Sequence, residues 1–269
     1  MISLDWKERL VADSKDFFER KLPEGYYDFD VIYNAYPKRV DNKIPRDIVV
    51  FVADTLATKM QKKHTDYLPF LDYIWKNKGE NGKIVFSCIL SKFIKKDYDL
   101  YFNFTRKYLD KIDNVNDVTL LMEKVFYPIY KKNPMDFTES LFNWLKEAND
   151  VIGSNLIKMI LKLGKTNPEF LKKFTDKLEN KWLTATPEFT KISGNFLKSL
   201  GKIDPDLYLS FYRNYKTTRE PIFVEILTLG LMMYDDFLYE TYENWGKSGN
   251  ARLKKAAITG LKFLKKKKK

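Results

Sequence analysis

A helix-start signal recurs six times along the chain, and its spacing constrains the fold more than any other feature. Asp, Asn or Thr, in three cases followed by Pro, leads directly into a large apolar residue in Thr65-Asp66-Tyr67, Asp97-Tyr98-Asp99-Leu100, Asn133-Pro134-Met135-Asp136-Phe137, Asn167-Pro168-Glu169-Phe170, Asp204-Pro205-Asp206-Leu207 and Asp235-Asp236-Phe237. Short polar side chains at such positions accept hydrogen bonds from the free N–H groups of a first helical turn, and Pro at the first helical position gives up no bond. Each start runs to a second large residue, Trp75, Tyr108, Trp144, Leu178, Tyr215 and Trp245. Taking Tyr67, Leu100, Phe137, Phe170, Leu207 and Phe237 as anchors, the intervals are 33, 37, 33, 37 and 30 residues, the period of a two-helix repeat.

Between these helices the sequence predicts a second set, over residues 83–96, 117–132, 151–165, 187–202, 220–234 and 251–264. In 151–165, Ile152, Leu156, Met159, Ile160 and Leu163 form one stripe and Ile157 and Leu161 a flank, so more than one side is covered. The expected architecture is all-α: a right-handed α-solenoid of HEAT-like antiparallel helix pairs in one domain over residues 1–264. Residues 65–264 supply about six pairs. Residues 1–64 form a looser helical cap, with helices expected over 4–21, 29–36 and 45–63 and breaks at Pro23-Glu24-Gly25 and Pro37-Lys38. Lys265–Lys269 has no apolar residue to pack and is read as a disordered basic tail.

Composition then excludes several chemistries. Cys88 and His64 stand alone, so there is no disulfide framework and no Cys/His metal-binding spacing; a reducing, cytoplasmic setting is expected, with no cofactor and no metal. The first residues lack the apolar core of a signal peptide, and the most apolar stretch, 221–234, is too short and too charged to span a bilayer. The segment Lys78-Gly79-Glu80-Asn81-Gly82-Lys83 reads as a turn and has neither phosphate-loop spacing. Trp75, Trp144 and Trp245 fall on repeat positions and belong to the core, whereas Trp182 lies past the expected end of its helix.

The formal charge is +12, yet residues 250–269 carry nine positive charges and no acid, which leaves +3 for the rest. Within the second helix set, lysines recur seven residues apart: Lys124 with Lys131, Lys158 with Lys165, Lys191 with Lys198, and Lys255 with Lys262, with Lys162 joining the second pair. Seven residues return a side chain almost to the same helix face. Stacked helices would align these lysines into a basic concave stripe suited to phosphates, and an ordinary solvated face in a Lys-rich chain is the alternative.

Residues of about 45–215 resemble the HEAT-repeat DNA glycosylases of the AlkD type. The segments that carry the resemblance are Tyr73-Ile74-Trp75 with the turn and helix that follow, Val115-Asn116-Asp117-Val118, Tyr130-Lys131-Lys132-Asn133-Pro134 and Phe142-Asn143-Trp144-Leu145. The resemblance implies a positively charged concave surface for damaged duplex DNA and a carboxylate that stabilises the positive charge of the departing alkylpurine. Asp117 matches the first acid of the family's Trp-Trp-Asp-x-x-Asp run and is the candidate catalytic residue. The two aromatics are Val115 and Asn116 here, the second acid is Leu120, and the backbone-gripping Arg is absent from Ile152-Gly153-Ser154-Asn155.

Two functional classes follow. One is an AlkD-like nucleic-acid-binding monomer acting on duplex DNA, in alkylation repair if the carboxylate is active. The other is a HEAT-repeat scaffold that binds a protein partner and has no catalytic activity. Neither involves a membrane.

Overall fold

The computed structural model describes residues 5–19, 39–109, 111–112 and 114–268. The chain is all-helical, 81% helix with no strand among the described residues. It divides into two compact units, Met1–Ile129 and Tyr130–Lys269.

The first unit opens with α1 (Trp6–Phe18) and α2 (Arg46–Met60), which pack on each other. Beyond α2, a 3-10 stretch Gln61–Tyr67 leads into α3 (Leu68–Asn77), followed by α4 (Gly79–Phe93), α5 (Tyr98–Leu109) and α6 (Val115–Leu121). A π turn, Met122–Phe126, and a last turn, Tyr127–Tyr130, continue α6. The helix expected over 29–36 and the breaks at Pro23-Glu24-Gly25 and Pro37-Lys38 lie outside the described residues.

The segment read as a turn at 78–83 is helical from Gly79 onward. Gly79 adopts φ +57, a backbone that side-chain-bearing residues rarely take, and this reverses the chain after α3. Gly82 then sits so close to α3 that a Cβ there would lie 2.7 Å from the Ile74 carbonyl oxygen. The two glycines let α4 start against α3 with almost no loop.

In the second unit a 3-10 turn, Pro134–Phe137, precedes α7 (Thr138–Glu147). The remaining helices are α8 (Asp150–Thr166), α9 (Pro168–Glu179), α10 (Pro187–Leu200), α11 (Pro205–Tyr215), α12 (Pro221–Gly230), α13 (Asp236–Gly246) and α14 (Ala251–Lys267). Four of the six start signals cap as expected, Asp97 by accepting from Leu100 N–H, whereas Asn133 makes no side-chain cap and Thr65 lies in the 3-10 stretch ahead of an uncapped α3. Asn167, Asp204 and Asp235 accept from the backbone N–H groups of Phe170, Leu207 and Phe237, each directly ahead of its helix. Asn149, Thr186 and Asn250 cap α8, α10 and α14 in the same way. Helix α12 stops at Gly230, short of the expected Tyr234, and α14 continues past Leu264 through Lys265–Lys267.

Two sets of helices are distinguished by their packing in this unit. Helices α8, α10, α12 and α14 pack in series, α8 on α10, α10 on α12 and α12 on α14. Helix α9 packs on α7 and α8, α11 on α10 and α12, and α13 on α14. Trp144, Trp182 and Trp245 are all buried, and in the first unit so is Trp75. Trp182 lies in a 3-10 turn and is enclosed by Phe211, Tyr215 and Phe223, with ring centroids 5.5, 5.6 and 5.9 Å away.

Several polar ties join residues about one repeat apart. Tyr108 donates to Asp72 and Tyr215 to Glu179, both across 36 residues. His64 Nδ1 lies 2.7 Å from the Tyr101 hydroxyl, 37 residues on, and that hydroxyl donates to the His64 carbonyl at 3.2 Å. His64 therefore sits in the packing, stacked on Phe93 at 5.4 Å.

Candidate nucleic-acid interface and the Asp117 carboxylate

Helix α8 shows how the sequence produces an exposed cationic edge. Ile152, Leu156, Met159, Ile160 and Leu163 are buried, which leaves Lys158, Lys162 and Lys165 on the remaining exposed face. Helices α10 and α14 repeat the arrangement, with Lys191 and Lys198 exposed on one and Lys255 and Lys262 on the other. Seven residues span about 10.5 Å along a helix, so the two lysines of each pair stand about that far apart along its axis.

The lysines differ in how much of their charge is available. Lys191 donates to Asp150 at the start of α8, at 2.6 Å. Lys158, Lys165, Lys198, Lys255 and Lys262 have no carboxylate partner among the described residues. The other strong pairing on these helices is the two-pronged contact of Arg252 with Glu225, where Nε and Nη2 each donate at 2.6 Å. It engages the one acid of α12.

Lys124 and Lys131 do not share the helical relationship assumed from their spacing. Lys124 lies in the π turn, which breaks the 3.6-residue period, and Lys131 stands beyond the last helical turn at Tyr130. Both are exposed. Cys88 is partly covered on α4; burial pushes its thiol up, and the charge of Lys124 opposes that shift.

Asp117 lies in the first turn of α6, whose Asn114 cap accepts from Asn116 N–H. Lys83 from α4 donates to its carboxylate, and both side chains are largely covered, at 28% exposure for Lys83 and 14% for Asp117. The same ammonium lies 5.5 Å from the Trp75 ring. Asp117 thus holds a cation supplied by the protein itself, in a place where a first-turn acid also complements the helix dipole. The sequence reading missed Lys83. The signal was present: Lys83 and Asp117 are 34 residues apart, one repeat interval, near the starts of successive second-set helices.

Among the described residues no cluster of three or more His, Cys, Asp or Glu could hold a metal ion, and no helix is long and apolar enough to cross a membrane. Comparison of the chain with protein-family models, curated proteins and solved structures finds no match.

Proposed function

We propose that the chain is a nucleic-acid-binding helical-repeat protein, a right-handed α-solenoid of HEAT-like pairs with AlkD-like layout, that holds duplex DNA by its phosphates. One observation carries the reading: Lys158, Lys165, Lys198, Lys255 and Lys262 are exposed and without a carboxylate partner among the described residues, on helices of one serially packed set. Unpaired lysines retain their full charge for counterion release, the main source of sequence-independent affinity for DNA. The repeat component draws on the alternating packing of α7–α14 and on polar ties at separations of 34, 36 and 37 residues.

The proposal stops at binding. A carboxylate already matched by Lys83 is poorly placed to meet the developing charge of a departing base, and Leu120 supplies no second acid. A mobility assay near physiological salt tests the reading. The native chain shifts a short duplex, and Lys158→Glu/Lys165→Glu/Lys198→Glu does not; an unchanged shift in the variant contradicts it.

A protein-interaction scaffold is the second reading. It draws on Leu229, 48% exposed, in a groove of about 520 Å³ lined by residues of α10, α12 and α14. Copurification of a stoichiometric protein partner without nucleic-acid absorbance would favour it.

A further inference from the structure

The first unit contains a cleft of about 570 Å³ lined by residues of α3 and α5, the turn after α5 and no lysine of the candidate interface. Helical spacing builds its walls. Asp72, Trp75 and Lys76 fall at i, i+3 and i+4 on α3, while Phe104, Lys107, Tyr108 and Lys111 fall at i, i+3, i+4 and i+7 on and just beyond α5. Phe86 of α4 holds the three wall rings from behind, with centroids 4.9 Å from Trp75, 5.3 Å from Tyr108 and 6.1 Å from Phe104. Trp75, Phe104 and Tyr108 are each more than nine-tenths buried, so their positions are fixed by the core while they line the cleft.

The charges of the rim are unequal. Asp72 is saturated: Tyr108 donates to one carboxylate oxygen and Lys76 to the other, the latter at 2.7 Å. Lys107 and Lys111 are exposed and form no ion pair among the described residues, although the charge of Lys107 helps hold the Asp72 carboxyl down. An apolar, aromatic interior with two exposed cations at its mouth suits a planar ring carrying an anionic group, and the volume falls within the ordinary range for small-molecule sites.

We propose that this cleft binds a small aromatic anion, with the ring against Trp75, Phe104 and Tyr108 and a phosphate or carboxylate on Lys107 and Lys111. Calorimetry of the full chain at low salt tests this with adenosine 5′-monophosphate, phenyl phosphate and indole-3-acetate, alongside uncharged adenosine and inorganic phosphate. At least one aromatic anion is expected to bind with Kd below about 1 mM, more tightly than adenosine or inorganic phosphate, and to weaken roughly tenfold or more in Lys107→Glu/Lys111→Glu. Pro69→Trp, a large side chain at the exposed rim, should block binding independently of charge. Lys158→Glu/Lys165→Glu should leave it intact, which separates this site from the DNA interface. The proposal is overturned if none of the three anions binds at millimolar concentration, if adenosine or phosphate alone binds as tightly, or if neither cleft variant weakens binding.

Discussion

Lys83 and Asp117, 34 residues apart, form an ion pair that ties α4 to the first turn of α6, with the lysine ammonium also placed over Trp75. The pair makes Asp117, the acid matched to the family's run, a tie between two helices separated by α5. Partly buried charge pairs lie between the negligible surface case and the costly buried one. Asp117→Asn and Lys83→Met should each destabilise the first unit by about 1–2 kcal/mol, and the double variant by less than their sum. Denaturant unfolding of the four proteins checks this. Additive losses would show that the pair does not couple. Release of methylated purine from alkylated DNA, abolished by Asp117→Asn, would restore a catalytic role.

Trp182 separates packing from hydrogen bonding. It is 0% exposed and its indole N–H has no partner among the described residues. Replacement by Phe keeps an aromatic ring against Phe211, Tyr215 and Phe223 and removes an unsatisfied donor. Trp182→Phe should cost less than about 1.5 kcal/mol, against roughly 3–5 kcal/mol for Trp182→Ala. Equal losses would point to a polar role for the indole.

How much of this was legible in the sequence depends on which residues carried the information. Helix starts were readable because capping is local: Asn167, Asp204 and Asp235 bond within three residues of themselves. The start of α4 was not, because Gly79 compresses the expected turn to almost nothing and Gly82 lets the new helix begin against α3. Trp75, Trp144 and Trp245 were assignable to the core by period alone. The pairing of Lys124 with Lys131 failed because a π turn interrupts a helix without an obvious sequence mark. Partners a full repeat away, such as Lys83 for Asp117 or Tyr108 for Asp72, require knowledge of which helix faces lie together.

Asp72 sets an acid limit. Burial would raise its pKa, but the hydrogen bonds from Lys76 and Tyr108 outweigh burial and hold the carboxyl below its ordinary value. A folded-state value below the unfolded one stabilises the protein above the unfolded pKa of about 3.9, and this is lost as pH falls through the lowered value. The stability gap between the native chain and Asp72→Asn should be present at neutral pH and close as pH falls through the lowered value. A gap that widens on acidification would reverse the assignment.

Glu225 provides a variant expected to gain affinity. Its carboxylate holds the Arg252 guanidinium in the two-pronged contact. Glu225→Gln removes a negative charge beside Lys255 and frees Arg252 for a phosphate, so duplex affinity should rise about two- to fivefold at moderate salt. Fluorescence anisotropy with a labelled duplex reads this directly, and a fall in affinity would place DNA elsewhere on the protein.

The salt dependence of duplex binding reports directly on how many lysines meet phosphates. If Lys158, Lys165, Lys198, Lys255 and Lys262 each neutralise a phosphate, log K should fall against log salt with a slope of about −4.5, and Lys158→Gln/Lys165→Gln/Lys198→Gln should reduce its magnitude to about 1.8. A slope near zero, or one unchanged in the triple variant, would contradict the assignment of these lysines to nucleic acid.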